Sequence, residues 1–518
     1  MKWFAFIILI ILLGQVSAQT ITFNKRFKVG CANTVLTSLE LTDSCHYITG
    51  IARDTINCRT GALFIRLDSF GSVIDYKIHL DSLSYYETWD ACLRKDWDGN
   101  FIIAGEFFDT TNILQAAVIK YDPHGNILWK KKHGSFFSMI QPGFLPEDIV
   151  IAKDSNYILA GETYEGLQLF KLDRNGDTLW TRRVDCNNNY CFQHSIVPLD
   201  DGFVVGYNNS DVNQISFDYT LLCVLTKYDY QGNELWTWQN DSSVLLIGAE
   251  DLIQTKDKGW VVASGIGKET FNSDGITTRL SFDGYVFKLD SNRNRVWATP
   301  LRAHSYSPSG RTIRLIELAD SSLMTFGMTA DTFRDASNTL RGQYSALVAK
   351  LSPDGDSLWG RKYHYFQQSL SRHEIFDAEQ TKDGGFLICG QAQGSGQGAY
   401  QQGWLLKLDQ HGCLVPGCHL PDTTTSILPI QAQPQAQLKL YPNPAVDYLN
   451  VWYRNKQVGE ELTFRILDAQ GRVLQSHTAR DISDKTYIFP VWELLRGWYV
   501  LEVRQDGVLV GSEVFSIR

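Results

Sequence analysis

Val118-Ile119-Lys120-Tyr121-Asp122-Pro123-His124-Gly125-Asn126-Ile127-Leu128-Trp129 reads as a strand, a tight turn and the start of the next strand. The run into Tyr121 is strand chemistry with no helical period. Asp122 suits the turn because its carboxylate can bond the turn backbone, and Gly125 supplies a positive φ. Trp129 opens the next strand and offers a large ring to a neighbouring sheet.

The same piece recurs along most of the chain as FIRLDSFG, LFKLDRNGDTLW, LTKYDYQGNELW, VFKLDSNRNRVW, VAKLSPDGDSLW and LLKLDQHG. The anchors are Asp68, Asp122, Asp173, Asp229, Asp290, Ser352 and Asp409, spaced 51 to 62 residues apart. Trp stands at 129, 180, 236, 297 and 359; Arg293 replaces the turn Gly, Ser352 the Asp, and the first copy lacks Trp. Upstream of each anchor comes a polar turn and a strand ending in Gly, as in DGNFIIAG and DGGFLICG. Four short strands per repeat match a propeller blade, so seven copies predict a seven-bladed β-propeller over 19–418. The seventh copy runs into CLVPGC and is one strand short. Ile21 to Phe27 reads as the missing strand, with Phe23 in the Trp position, and is expected to close the ring and remove an open sheet edge.

Composition agrees with a folded all-β chain. Of 518 residues, 44% are apolar and 20% charged, which excludes disorder. Lys and Arg number 48 against 57 Asp and Glu, and the net charge of −9 argues against nucleic acid as a partner. At the start, Lys2, an apolar run from Trp3 to Leu13 and Val16-Ser17-Ala18 form the pattern of a secretory signal over 1–18. The run is too short to span a bilayer, and no later segment is apolar enough to do so.

Export places the ten cysteines in an oxidising compartment. Cys186 with Cys191 and Cys413 with Cys418 are candidate disulfides closing short loops. Cys223 and Cys389 lie in apolar strands as buried thiols. Cys31, Cys45, Cys58 and Cys92 allow one or two bridges of open pairing. None has zinc-ligand spacing.

No catalytic, cofactor or metal constellation emerges. There is no GxSxG and no phosphate loop, and His373-Glu374 lacks the second His of HExxH. Asp96-Trp97-Asp98-Gly99-Asn100 alternates oxygen ligands but lacks the Gly and acidic positions of a calcium loop, so it reads as a hairpin turn. The repeat resembles the tryptophan-docking repeat of quinoprotein-like propellers, whose enzymes oxidise alcohols with a quinone and calcium. Those enzymes have eight blades and adjacent cysteines, and this chain has seven copies and no adjacent cysteines. A looser resemblance is to the Asp boxes of sialidase propellers, where the turns are structural and whose arginine-bearing strand motif has no counterpart here.

The connections between second and third strands are longest in repeats four to six. They carry Tyr207, Phe217, Phe271, Phe282 and Phe333 among Asn, Ser, Thr and Asp, candidate aromatics of a face that binds a glycan or protein. After Cys418 the composition turns to Pro, Gln and Thr, a linker over 419–437. Residues 438–518 alternate apolar positions between Gly and Asp turns and predict an immunoglobulin-like β-sandwich.

Within that last segment, Tyr441-Pro442-Asn443-Pro444-Ala445, FRILDAQGRVL, Leu495-x-Gly497-x-Tyr499-x-Leu501 and a terminal strand ending in Arg518 resemble the type A C-terminal sorting domain of the type IX secretion system. One departure is Phe489-Pro490-Val491-Trp492-Glu493, where many members have a polar approach to the Gly-x-Tyr strand. The resemblance implies a Bacteroidota source, Sec export, recognition of the tail by the outer-membrane machinery and its sortase, and release or surface attachment. The expectation is a secreted or cell-surface binding or adhesion protein without cofactor. A carbohydrate-active or other hydrolytic propeller is the alternative.

Overall fold

A computed structural model describes residues 21–419 and 437–517 except for short internal segments, the longest being 134–143 and 302–310. The signal over 1–18 and nearly all of the linker over 419–437 lie outside the described residues. All regular structure among the described residues is β, and the chain divides into two compact units, Met1–Pro416 and Gly417–Arg518.

The first unit contains seven four-stranded antiparallel sheets, numbered one to seven by the chain order of their first strands. They cover residues 34–79, 85–133, 145–184, 190–239, 246–301, 311–363 and, for sheet seven, 372–408. Sheets one to six are up-and-down meanders in chain order. Sheet seven takes its fourth strand from the N-terminus, where Phe23–Phe27 pairs antiparallel with Gln402–Leu408, Phe23 opposite Lys407 and Phe27 opposite Gly403. Asn24 fixes this strand, accepting the Trp404 indole N–H at 2.6 Å and donating to the His364 carbonyl at 3.1 Å.

First strands of consecutive sheets lie side by side, and that of sheet seven lies against that of sheet one, so the arrangement is propeller-like. An apolar cluster fills each of the seven junctions. The junction of sheets seven and one, for instance, holds Leu387, Cys389 and Leu405 with Leu36, Ile48 and Leu63.

The anchor turn explains the repeat. Asp122 Oδ1 accepts the amides of His124 and Asn126, each at 2.8 Å, and Gly125 has φ +73°. The turn glycine also meets the preceding sheet. A Cβ on Gly176 would lie 2.6 Å from the Trp129 ring, and one on Gly355 2.5 Å from the Trp297 ring. In the first repeat Gly71 faces Phe23, the residue standing in the Trp position at the closing strand. Arg293 adopts φ +70° and lays its guanidinium 4.7 Å over Trp236.

The long connections of repeats four to six are extended hairpins. Pairing continues to Val212 opposite Tyr219, Phe271 opposite Thr278 and Arg334 opposite Leu340. Alternating Thr, Ser, Phe and Leu suit added strand as well as loop.

The second unit has a three-stranded sheet (Gln437–Tyr441, Tyr448–Arg454, Lys485–Pro490) and a four-stranded one (Leu462–Leu467, Val473–Ala479, Gly497–Gln505, Val508–Ile517). Both contribute to one core, Leu449, Val451 and Phe489 from the first meeting Phe464, Leu501 and Phe515 from the second.

Candidate functional site

The first strand of each of the seven sheets of the first unit breaks register just before one residue, in order Ser38, Cys92, Asp148, Ser195, Asp251, Arg314 and Asp377. Such bulges re-aim a side chain. Here each residue reaches the next sheet. Asp377 accepts the Leu39 amide at 3.0 Å, Ser38 Oγ the Leu93 amide at 3.1 Å, Asp148 the Ile196 amide at 2.9 Å and Asp251 the Leu315 amide at 2.8 Å. Cys92 donates to the Glu147 carbonyl, Ser195 to Asp251, and Arg314 Nε to Asp377 at 2.6 Å. All seven junctions therefore carry a bond from this one position.

The hub is ionic. Arg314 also reaches Asp251 at 3.4 Å, and Arg94 pairs with Asp148 at 3.0 Å. Burial alone would raise the Asp377 carboxyl, but the Arg314 charge and hydrogen bond hold it below the usual range. Asp251 goes the other way, raised by burial that Arg314 only partly offsets. Two residues beyond the hub position, Glu379 accepts the Leu41 amide and Glu40 the Lys95 amide. Burial, then the charges of Glu40 and Asp377, push the Glu379 carboxyl up to about 8.

His373 is a core residue. Its Nε2 accepts the Phe366 amide at 2.9 Å while Nδ1 lies 3.0 Å from the Tyr344 carbonyl, so the proton sits on Nδ1. Burial pushes its pKa down to about 4. At Asp96 and Asp98 the Lys120 ammonium, 2.6 and 2.7 Å away, takes the place a cation would occupy.

Tyr207 points into the core. It is 6% exposed in the core between sheets three and four, its hydroxyl 3.4 Å from Thr226, because its strand position alternates inward. Phe217 lies outside the described residues. Phe271, Phe282 and Phe333 belong to the hairpin strands of sheets five and six.

Cys186 and Cys191 are joined, with Cα atoms 6.3 Å apart, and both are buried. Cys413 and Cys418 are each disulfide-bonded. Cys45, Cys92, Cys223 and Cys389 are thiols outside any disulfide among the described residues, and Cys31 and Cys58 lie outside the described residues.

The tail motif braces the last strand. Asn443 Nδ2 donates to the Val514 carbonyl at 3.1 Å and Oδ1 accepts the Ser516 amide at 3.0 Å, so one carboxamide pairs with Val508–Ile517 as a strand would. Ala445, fully buried, donates its amide to the Ser516 carbonyl at 2.8 Å. Pro442 and Pro444 both follow cis bonds. Gly497 pairs with Ile517, and the Tyr499 ring stacks on Phe515 at 5.7 Å.

Residues 439–513 match the family model of the secretion system C-terminal sorting domain. The protein is exported by type IX secretion, to the cell surface or the extracellular space. Among the described residues no helix is long and apolar enough to cross a membrane. No curated protein matches the sequence. Among solved structures the chain is similar to the GH93 α-L-arabinofuranosidase of Fusarium graminearum in complex with arabinobiose, at TM-score 0.39 and 11% identity over 75% of this chain and 98% of that one. It is also similar to Drosophila Semaphorin 1b, extracellular domains 1–2, at TM-score 0.39 and 7% identity over 76% and 88% of the two chains. A third is CoXyl43, a GH43 β-xylosidase/α-arabinofuranosidase from a compost microbial metagenome, at TM-score 0.29 and 11% identity over 50% and 98%.

Proposed function

We propose that this is a binding or adhesion protein displayed or released by a member of the Bacteroidota. In this reading the seven sheets are the blades of a ring spanning 19–418, closed by the N-terminal strand. A signal over 1–18 directs Sec export. Residues 438–518, an immunoglobulin-like sandwich beyond the 419–437 linker, address the chain to the type IX machinery and its sortase.

The observation that carries the binding reading is the hub. Its carboxylates at the ring centre are engaged by amides and guanidinium groups of neighbouring sheets, which accounts for them as structure. The hairpins of sheets four to six, all at one end of their sheets, supply a raised face for a glycan or protein partner. One observation favours the hydrolytic reading instead. Glu379, held protonated near neutral pH, has the property of a general acid.

The exported protein applied to a glycan array, beside a hydrolysis screen on the glycans retained, tests the choice. Retention without product release is the expected result. Product release that disappears in Glu379→Gln would establish the enzyme. Deleting 438–518 is expected to strand the protein in the periplasm, and its appearance in the medium would overturn the sorting role.

A further inference from the structure

The hairpin turn after the first strand has the same backbone bonding in sheets two, three, five, six and seven, closed by amides of Asp96, Ala152, Thr255, Leu318 and Thr381. The next residue is Trp97 in sheet two and Lys153, Lys256, Ala319 and Lys382 in the others. Asp98, by contrast, does what its counterparts do. Like Asp154, Asp257, Asp320 and Asp383, it pairs with a third-strand lysine. The turn thus accounts for Asp98 and leaves Trp97, a residue 60% exposed, without a structural task.

Trp97 stands at a cleft of about 360 Å³ with Trp129, Asp98, Lys120, Arg174 and Asn175. Its volume is that of a small ligand site. The carboxylates of the cleft are paired within it. Lys120 occupies Asp96 and Asp98, and the Tyr157 hydroxyl also donates to Asp96 at 2.5 Å. The donors, however, are open. Trp180 and Trp297 give their indole N–H to the carbonyls of Tyr230 and Pro353, the residue after each next anchor, at 3.1 and 3.0 Å. Arg174 is the corresponding residue for Trp129, yet no described residue accepts the Trp129 N–H. Arg174 forms no ion pair among the described residues, and the Asn175 carboxamide has no partner there.

We propose that this cleft binds an acidic saccharide. The exposed indole of Trp97 offers a flat apolar face to a sugar ring, and the Trp129 N–H, Asn175 amide and Arg174 guanidinium present donors to its hydroxyl and carboxylate oxygens. First-to-second and third-to-fourth turns share one end of each antiparallel sheet, so the cleft lies on the ring face opposite the extended hairpins. The inference rests on the reading of the ring as a binding protein.

Calorimetric titration of the full exported protein with a uronate trisaccharide, a neutral trisaccharide and a glutamate-rich peptide tests it. The uronate is expected to bind, at least tenfold more weakly in Trp97→Ala and with the affinity of the neutral sugar in Arg174→Gln. Ala319 shows that the turn accepts alanine, and an unchanged melting temperature is the folding control. Equal binding of the neutral sugar, or of the peptide, overturns the ligand class. Uronate binding undiminished in Trp97→Ala sinks the cleft and leaves the binding reading standing. Failure of all three probes, with glycan retention on the array intact, also sinks the cleft alone, whereas failure on the array as well sinks both.

Discussion

Gly355 sits at φ +88° with the Trp297 ring against it, whereas Gly99, at φ +81°, has nothing within 4 Å of a built Cβ. The pair separates two demands that a turn glycine meets. Gly99→Ala carries only the left-handed backbone cost, about 1 kcal/mol. Gly355→Ala adds a collision with an indole held between sheets, for a total of about 2–4 kcal/mol. Denaturant midpoints of the two variants check this, and equal losses would remove the ring contact from the account. The turn role of Gly99 is legible in the sequence through Asp96 three residues earlier, and that of Gly355 through the repeat, in which Ser352 takes the Asp position. The ring contact is not, because it joins residues in neighbouring sheets that are far apart in the chain, Trp297 and Gly355. Arg293 marks the limit of the rule, since its side chain extends over Trp236 from the same backbone conformation.

At the level of elements, strand and turn were readable from alternation and from Asp-x-x-Gly, but the hub was not. Ser38, Cys92, Asp148, Ser195, Asp251, Arg314 and Asp377 share a position and no residue type, and the bulge that aligns them leaves no compositional mark. The polar residues of the long connections fit loop and strand alike, so the sequence does not separate the two. Pairing to Phe271 and Arg334 settles them as strand, and the inward turn of Tyr207 follows from the same alternation. The hub also sets a pH dependence. Glu379 holds its proton more tightly folded than unfolded, so its contribution is full below the ordinary carboxyl range and is lost as pH rises through about 8. Wild-type stability should fall by about 3–4 kcal/mol between pH 5 and pH 9 relative to Glu379→Gln. Melting curves of both proteins at the two pH values measure it, and parallel curves would show that Glu379 ionises freely.

For the whole molecule, seven similar copies, the last of them one strand short, point to a ring whose closing strand is borrowed from the other end of the chain. The pairing of Phe23–Phe27 with Gln402–Leu408 joins termini of the unit that are nearly 400 residues apart, and Phe23 against Gly71 continues the sequence of ring-on-glycine contacts through the closure. The export address was equally legible, since its motif residues make specific contacts. Asn443 and Ala445 hold the final strand, and Gly497 and Tyr499 lie beside it. A ligand left a fainter trace, one tryptophan that the repeat does not require. Hydrogen exchange of the exported protein tests the closed ring most directly. The bonded amides of Phe23–Phe27 should exchange in the same slow, cooperative event as those of Gln402–Leu408. Rapid exchange of the N-terminal strand while its partner stays protected would contradict the closure.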